Sequence, residues 1–180
     1  MFLQQQALEK VFKAALSPRF VFLGTHGFAL SSRKNKRDNP LAVCGLALAG
    51  ANLNKSGNED GILSALETSS LDLWGTKLVT LSACDTGVGE VKNGEGVYGL
   101  RRSFFLAGAE TLVMSLWPVS DYVTRELMTA YYTGLKNGLG RGQALRQAQL
   151  SVMKRKGRGH PFYWASFIQS GEWANLDGKR

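Results

Sequence analysis

Three uninterrupted apolar runs of strand length constrain this chain more than any other feature: "FVFLG" at 20–24, "LVTLS" at 78–82 and "TLVMSLW" at 111–117. A strand that is apolar on both sides cannot leave either side in water. Such runs belong to a sheet covered on both faces, which calls for parallel strands joined by helical crossovers. "GLALA" at 45–49 is a weaker fourth strand. The crossover helices are present as patterns. Residues 3–16 place Leu3, Ala7, Leu8, Val11, Phe12 and Ala15 at helical spacing up to Ser17 and Pro18. The stretch 94–108 directs Val97, Leu100, Phe104 and Phe105 to a core and stops at Gly108. Residues 120–137 start on Ser120 as N-cap and align Leu127, Met128, Tyr131 and Leu135, and residues 142–156 align Ala144, Leu145, Ala148 and Val152. A closing loop over 160–171 leads into a final strand or packed segment. The expectation is an α/β three-layer sandwich with a mostly parallel central sheet and helices on both faces.

A chain of 180 residues holds one such domain. No apolar run reaches the roughly 18 residues that span a bilayer, and the start "MFLQQQALEK" lacks a secretory layout, so a cytoplasmic protein with no membrane partner is expected. Cys44 and Cys84 are then expected as reduced thiols. The net charge of +8 gathers in "SRKNKR" at 32–37, "KRKGR" at 154–158 and the terminal "GKR", without an aromatic stacking platform. Solvated loops explain these clusters better than nucleic-acid binding does. The polar stretches 27–43 and 50–61 read as long loops at strand ends. The chain opens on a helix with no strand before it, which reads as a fragment of a longer protein.

The chemistry concentrates in "LSACDTG". Cys84 follows an apolar strand at the carboxyl edge of the sheet, where open α/β sheets build their sites, and His26 in "FVFLGTHGF" follows another. If the two strands are neighbours, the side chains face one another. A thiol needs a base or cation to become a nucleophile, and an imidazole supplies this and later protonates a leaving amine. The oxyanion needs N–H donors. Gly27, which has no Cβ to hinder a substrate carbonyl, and Cys84 offer backbone amides for that purpose. Trp117, at a strand end, is a core aromatic or a wall of a substrate cleft. Cys44 reads as packing and His160, before a proline, as a capping or surface residue. A zinc site from His26, Cys44, Cys84 and His160 lacks the expected spacing, and no cofactor or metal is expected. The glycines of 86–96 lack the Gly-Lys-Ser/Thr of a phosphate loop, and no glycine stands two places before Cys84 as in a hydrolase elbow.

"THG", "SACDTG", "GEGVYGLRRSFFLAGAETLVMSLWPVSD" and "HPFYWASF", in that order over roughly residues 3–173, resemble the CHAT domain, a caspase-like, separase-related cysteine peptidase family of clan CD. The resemblance implies a caspase-hemoglobinase fold and a dyad of His26 and Cys84 acting on a protein or peptide substrate. Related peptidases often place acids near the nucleophile or beyond the next strand to select a basic side chain. Asp85 and Asp121 hold those positions here, and carboxylates there bind Arg or Lys by charge-assisted hydrogen bonds. Members of the family often follow tetratricopeptide repeats, so a repeat region or a regulatory protein is an implied partner. No 34-residue repeat occurs in this chain. The competing expectation is a catalytically silent module that keeps the fold to bind a partner.

Overall fold

The structure, a computed structural model, describes residues 4–29, 39, 41–53, 58–83, 95–118 and 120–178. Strands β1 (Phe20–Ala29), β2 (Cys44–Ala47), β3 (Ile62–Ser64), β4 (Leu78–Ala83), β5 (Thr111–Ser115) and β6 (Phe167–Gly171) form one sheet in the order β3-β2-β1-β4-β5-β6. At its centre β1, β4 and β5 are parallel, while β2 and β6 run antiparallel to their neighbours. Because β3 is in turn antiparallel to β2, it points the same way as the central three. Most strands therefore share one direction, as the apolar runs predict.

Helices cover both faces. On one side α2 (Ala65–Thr68) and α3 (Glu95–Leu106) enclose a core in which Leu100 and Phe104 meet Val21, Leu46, Leu63, Val79, Leu81, Leu112 and Met114. On the other side α4 (Asp121–Lys136) and α5 (Arg141–Met153) bring Leu127, Tyr131, Leu145 and Val152 against Leu78, Val113 and Phe167. The buried residues of α4 and α5 include all those aligned by the 3.6-residue period. Ser120 caps α4 by accepting from the Val123 N–H, and Gly108, at φ +105°, lies just past α3 where a left-handed residue closes a helix. The sandwich with a mostly parallel sheet is the observed fold.

Several expectations need correction. The strand expected over 20–24 continues to Ala29, so the expected loop over 27–43 begins inside β1. The extension pairs with β2, whose residues 44–47 stand opposite 26–29. The helix expected over 3–16 is instead a short 3-10 turn (Gln4–Gln6) and α1 (Glu9–Lys13). Between them Leu8 is extended and bridges Ala49, while the Ala7 carbonyl accepts the Ala49 N–H at 3.1 Å, so pairing to the sheet interrupts the helix. Both faces carry helices, but α4 and α5 cover β1 incompletely, with the Phe22 ring centroid 6.4 Å from that of Tyr132. Phe20 stays 45% exposed beside its fully buried register partner Leu78, and Phe22 stays 53% exposed.

An ionic cluster ties α1 to the far end of the sheet. Lys13 Nζ lies 2.6 Å from Glu9, 3.1 Å from Glu59 and 2.8 Å from Glu67, and the buried Glu9 also accepts the Gly61 N–H at 2.9 Å. Burial opposes the ammonium, but the bonds to Glu67, Glu9 and Glu59 outweigh it and raise the Lys13 pKa above its ordinary value. Burial likewise opposes the Glu67 carboxylate, and Lys13 and Ser64 overcome it, holding Glu67 below the usual range. Lys13→Met leaves Glu9 buried without its ammonium. The expected loss in urea unfolding is about 2–3 kcal/mol at pH 7, under the fully buried value because Glu59 and Glu67 are partly solvated. A depressed carboxylate stabilises above its unfolded pKa and loses that stabilisation as pH falls through its folded one. The gap between wild type and Lys13→Met should therefore narrow below about pH 4.

Candidate active site

Parallel pairing of β1 with β4 sets the site. The register runs from Phe20 opposite Leu78 to Thr25 opposite Ala83. On each strand the very next residue is the one singled out by its chemistry. His26 follows Thr25, and Cys84 follows Ala83. Cys84 and Asp85 lie outside the described residues. Because β1, β4 and β5 are parallel, their carboxyl ends share one edge of the sheet.

His26 is inside β1 and not beyond it, yet its side chain is exposed. Its backbone is paired opposite Ala47 of β2. The Leu48 N–H donates to the Gly61 carbonyl at 2.8 Å, so in the antiparallel β2–β3 ladder the backbone of Leu46 turns to β3 and those of Gly45 and Ala47 turn to β1. On β1, His26 and Phe28 therefore face β2, and the Gly27 backbone faces the β4 side. A donor directed there lies beside the end of the strand that leads to Cys84.

Two hydroxyls bond across the same edge. The Thr25 hydroxyl donates to the Ala47 carbonyl, and the buried Ser115 hydroxyl donates to the Ala83 carbonyl at 3.3 Å. Neither was singled out from the sequence, because the partner of each is a backbone carbonyl distant along the chain. The available signal for Ser115 was a hydroxyl in the middle of the apolar run "TLVMSLW".

The remaining candidates sort clearly. Asp121 is exposed in the first turn of α4, after the carboxyl end of β5. Trp117 is partly buried against the α4–α5 core, and its indole N–H donates to the Phe162 carbonyl at 3.0 Å. Only its ring is left for a cleft. Cys44 is fully buried, and burial pushes its thiol up to about 11 against the weaker opposing bond from the Leu100 backbone. It is a packing residue that stays protonated at neutral pH. His160 accepts the Phe162 N–H through Nδ1 and caps α6 (Pro161–Trp164). Cys44 lies on β2, while His160 caps α6 ahead of β6, the strand four places from β2 in the sheet. Among the described residues the carboxylates that come together with metal-like spacing are Glu9, Glu59 and Glu67, and the Lys13 ammonium already lies among them.

No helix among the described residues is long and apolar enough to cross a membrane. Over 116 residues, 64% of its length, the chain is 34% identical to tetratricopeptide repeat protein 28 of Homo sapiens, and to the same degree to that of Mus musculus. The match takes in only 5% of either relative, so the chain spans a small fraction of the curated proteins it resembles. The family model of the CHAT domain matches residues 1–172, nearly the whole chain. With the sheet order and helix placement described above, that match makes the chain a member of the CHAT domain family, a lineage related to caspase-like peptidases.

Proposed function

We propose that this chain is a caspase- and separase-like cysteine endopeptidase in which Cys84 and His26 form the catalytic dyad. The observation that carries the reading is the β1–β4 register, whose last pair, Thr25 and Ala83, immediately precedes the two residues. Adjacent strands lie about 4.8 Å apart, so continuing that register by one residue brings an imidazole within reach of a thiol. The Cys84 thiolate attacks the scissile carbonyl, and the Gly27 and Cys84 amides take the charge that forms on oxygen. The C–N bond breaks as His26 protonates the departing amine. Water then adds to the thioester and gives its proton to His26, and the acid leaves as the thiolate returns. Asp85 and Asp121 select a basic residue before the cleaved bond, and the Trp117 ring lines the cleft. The direction of the Gly27 backbone and the exposure of Asp121 support these assignments.

A second reading has its own support. The relatives are named for their tetratricopeptide repeats and not for proteolysis, which favours a silent interaction module beside helical repeats. In the catalytic reading the same repeats, or a separate regulatory protein, govern the peptidase in the cytoplasm.

Release of fragments from a denatured protein mixture separates the two. Cys84→Ala is expected to abolish release, and His26→Ala to lower it by about 10²–10⁴-fold. Unchanged release from Cys84→Ala would assign the cleavage to another agent. For specificity, Asp121→Asn is expected to weaken cleavage after Arg by roughly tenfold relative to cleavage after a neutral residue, as fits the loss of a charge-assisted bond. Equal effects on both peptides remove Asp121 from the pocket.

A further inference from the structure

We propose that Ser115 is a positioning residue for the nucleophile, holding the end of β4 from which Cys84 emerges. The inference rests on the reading of Cys84 as the attacking group. The β4–β5 register pairs end at Leu81 opposite Met114, so the Ala83 carbonyl lies beyond the last backbone pair. Leu116 turns its backbone to the opposite side of β5, where its N–H donates to the Ser166 carbonyl of the segment entering β6 at 2.8 Å. Ser115 reaches that carbonyl with its side chain. Its hydroxyl, on a residue 2% exposed, donates to the Ala83 carbonyl at 3.3 Å. An alanine there would leave that carbonyl without this donor.

On its other flank Ala83 is paired with Thr25, whose hydroxyl in turn reaches the Ala47 carbonyl of β2. Ser115, Ala83, Thr25 and Ala47 thus form a belt across β5, β4, β1 and β2 at the carboxyl edge. The residue after Ala83 and the residue after Thr25 are the proposed dyad. The belt fixes the last peptide before each, and dyad geometry tolerates little error because displacement by about 1 Å can cost 10²-fold in rate. Ser115 lies on the face of Val113, which the α4–α5 layer covers.

The test compares Ser115→Ala and Ser115→Thr with wild type, all carrying Cys44→Ala so that one thiol remains. Peptide hydrolysis by Ser115→Ala should show kcat lower by about 10- to 100-fold with KM within roughly twofold. Ser115→Thr, which keeps the hydroxyl, should recover kcat to within about threefold. Alkylation of Cys84 by iodoacetamide across pH needs no turnover. Its midpoint should move in Ser115→Ala toward that of a free cysteine, about 8.5, while the urea midpoint changes little. Wild-type kcat and an unshifted alkylation profile in Ser115→Ala would overturn the inference, as would a threonine variant as impaired as the alanine one. If Cys84→Ala is inactive while Ser115→Ala behaves as wild type, only the positioning role fails. If Cys84→Ala still hydrolyses peptide, the nucleophile reading fails and the inference goes with it.

Discussion

The register of β1 against β4 is the constraint on which the rest of the molecule depends. It is set by the core and not by the site. Val21, Val79 and Leu81 point into the layer under α3, and Leu78 points into the layer under α4 and α5. Side chains alternate with a period of two along a strand, so a slip by one residue would send each into the wrong layer. At roughly 1.5–3 kcal/mol for each buried aliphatic side chain, the penalty runs to several kcal/mol. The pattern that drives folding therefore also fixes where the chain leaves β4 relative to His26. The site inherits its alignment from packing.

Polar groups finish what packing begins. Antiparallel β2 pairs along the edge of β1 opposite β4 over residues 26–29, holding the His26 backbone while leaving the imidazole exposed. The Lys13 cluster ties α1 to Glu59, ahead of β3, and to Glu67 of α2, bracing the outer strands on which that pairing relies. Cys44 is consumed by the core, where burial keeps its thiol protonated, so the proposed nucleophile is the chain's other cysteine.

What could be read from the sequence was whatever is encoded locally. The apolar runs of β1, β4 and β5, the helical faces of α4 and α5, the Ser120 cap and the Gly108 stop each depend on neighbours within one or two turns. What could not be read depends on distant partners. Thr25, His26 and Gly27 look like a turn and become strand only because β2 arrives to pair with them. The 3-residue β3 is too short to show a period, and α1 is cut short by a bond from Ala7 to Ala49. Candidate site residues stood out by chemical type, since a histidine and a cysteine at strand ends are uncommon, whereas Thr25 and Ser115 are ordinary hydroxyls until their carbonyl partners are known. The CHAT motifs carried the family assignment, and the match over residues 1–172 bears it out.

Proximity of residues 26 and 84 is the central claim, and it can be measured without any assumption about catalysis. In a Cys44→Ala background, His26→Cys supplies a second thiol at the level of Cys84, and a short bifunctional thiol reagent followed by peptide mass analysis reports whether the two are bridged. The account predicts an internal bridge between positions 26 and 84 in the folded chain, lost in urea. Two thiols that each take up reagent singly, with no bridged peptide, would contradict it.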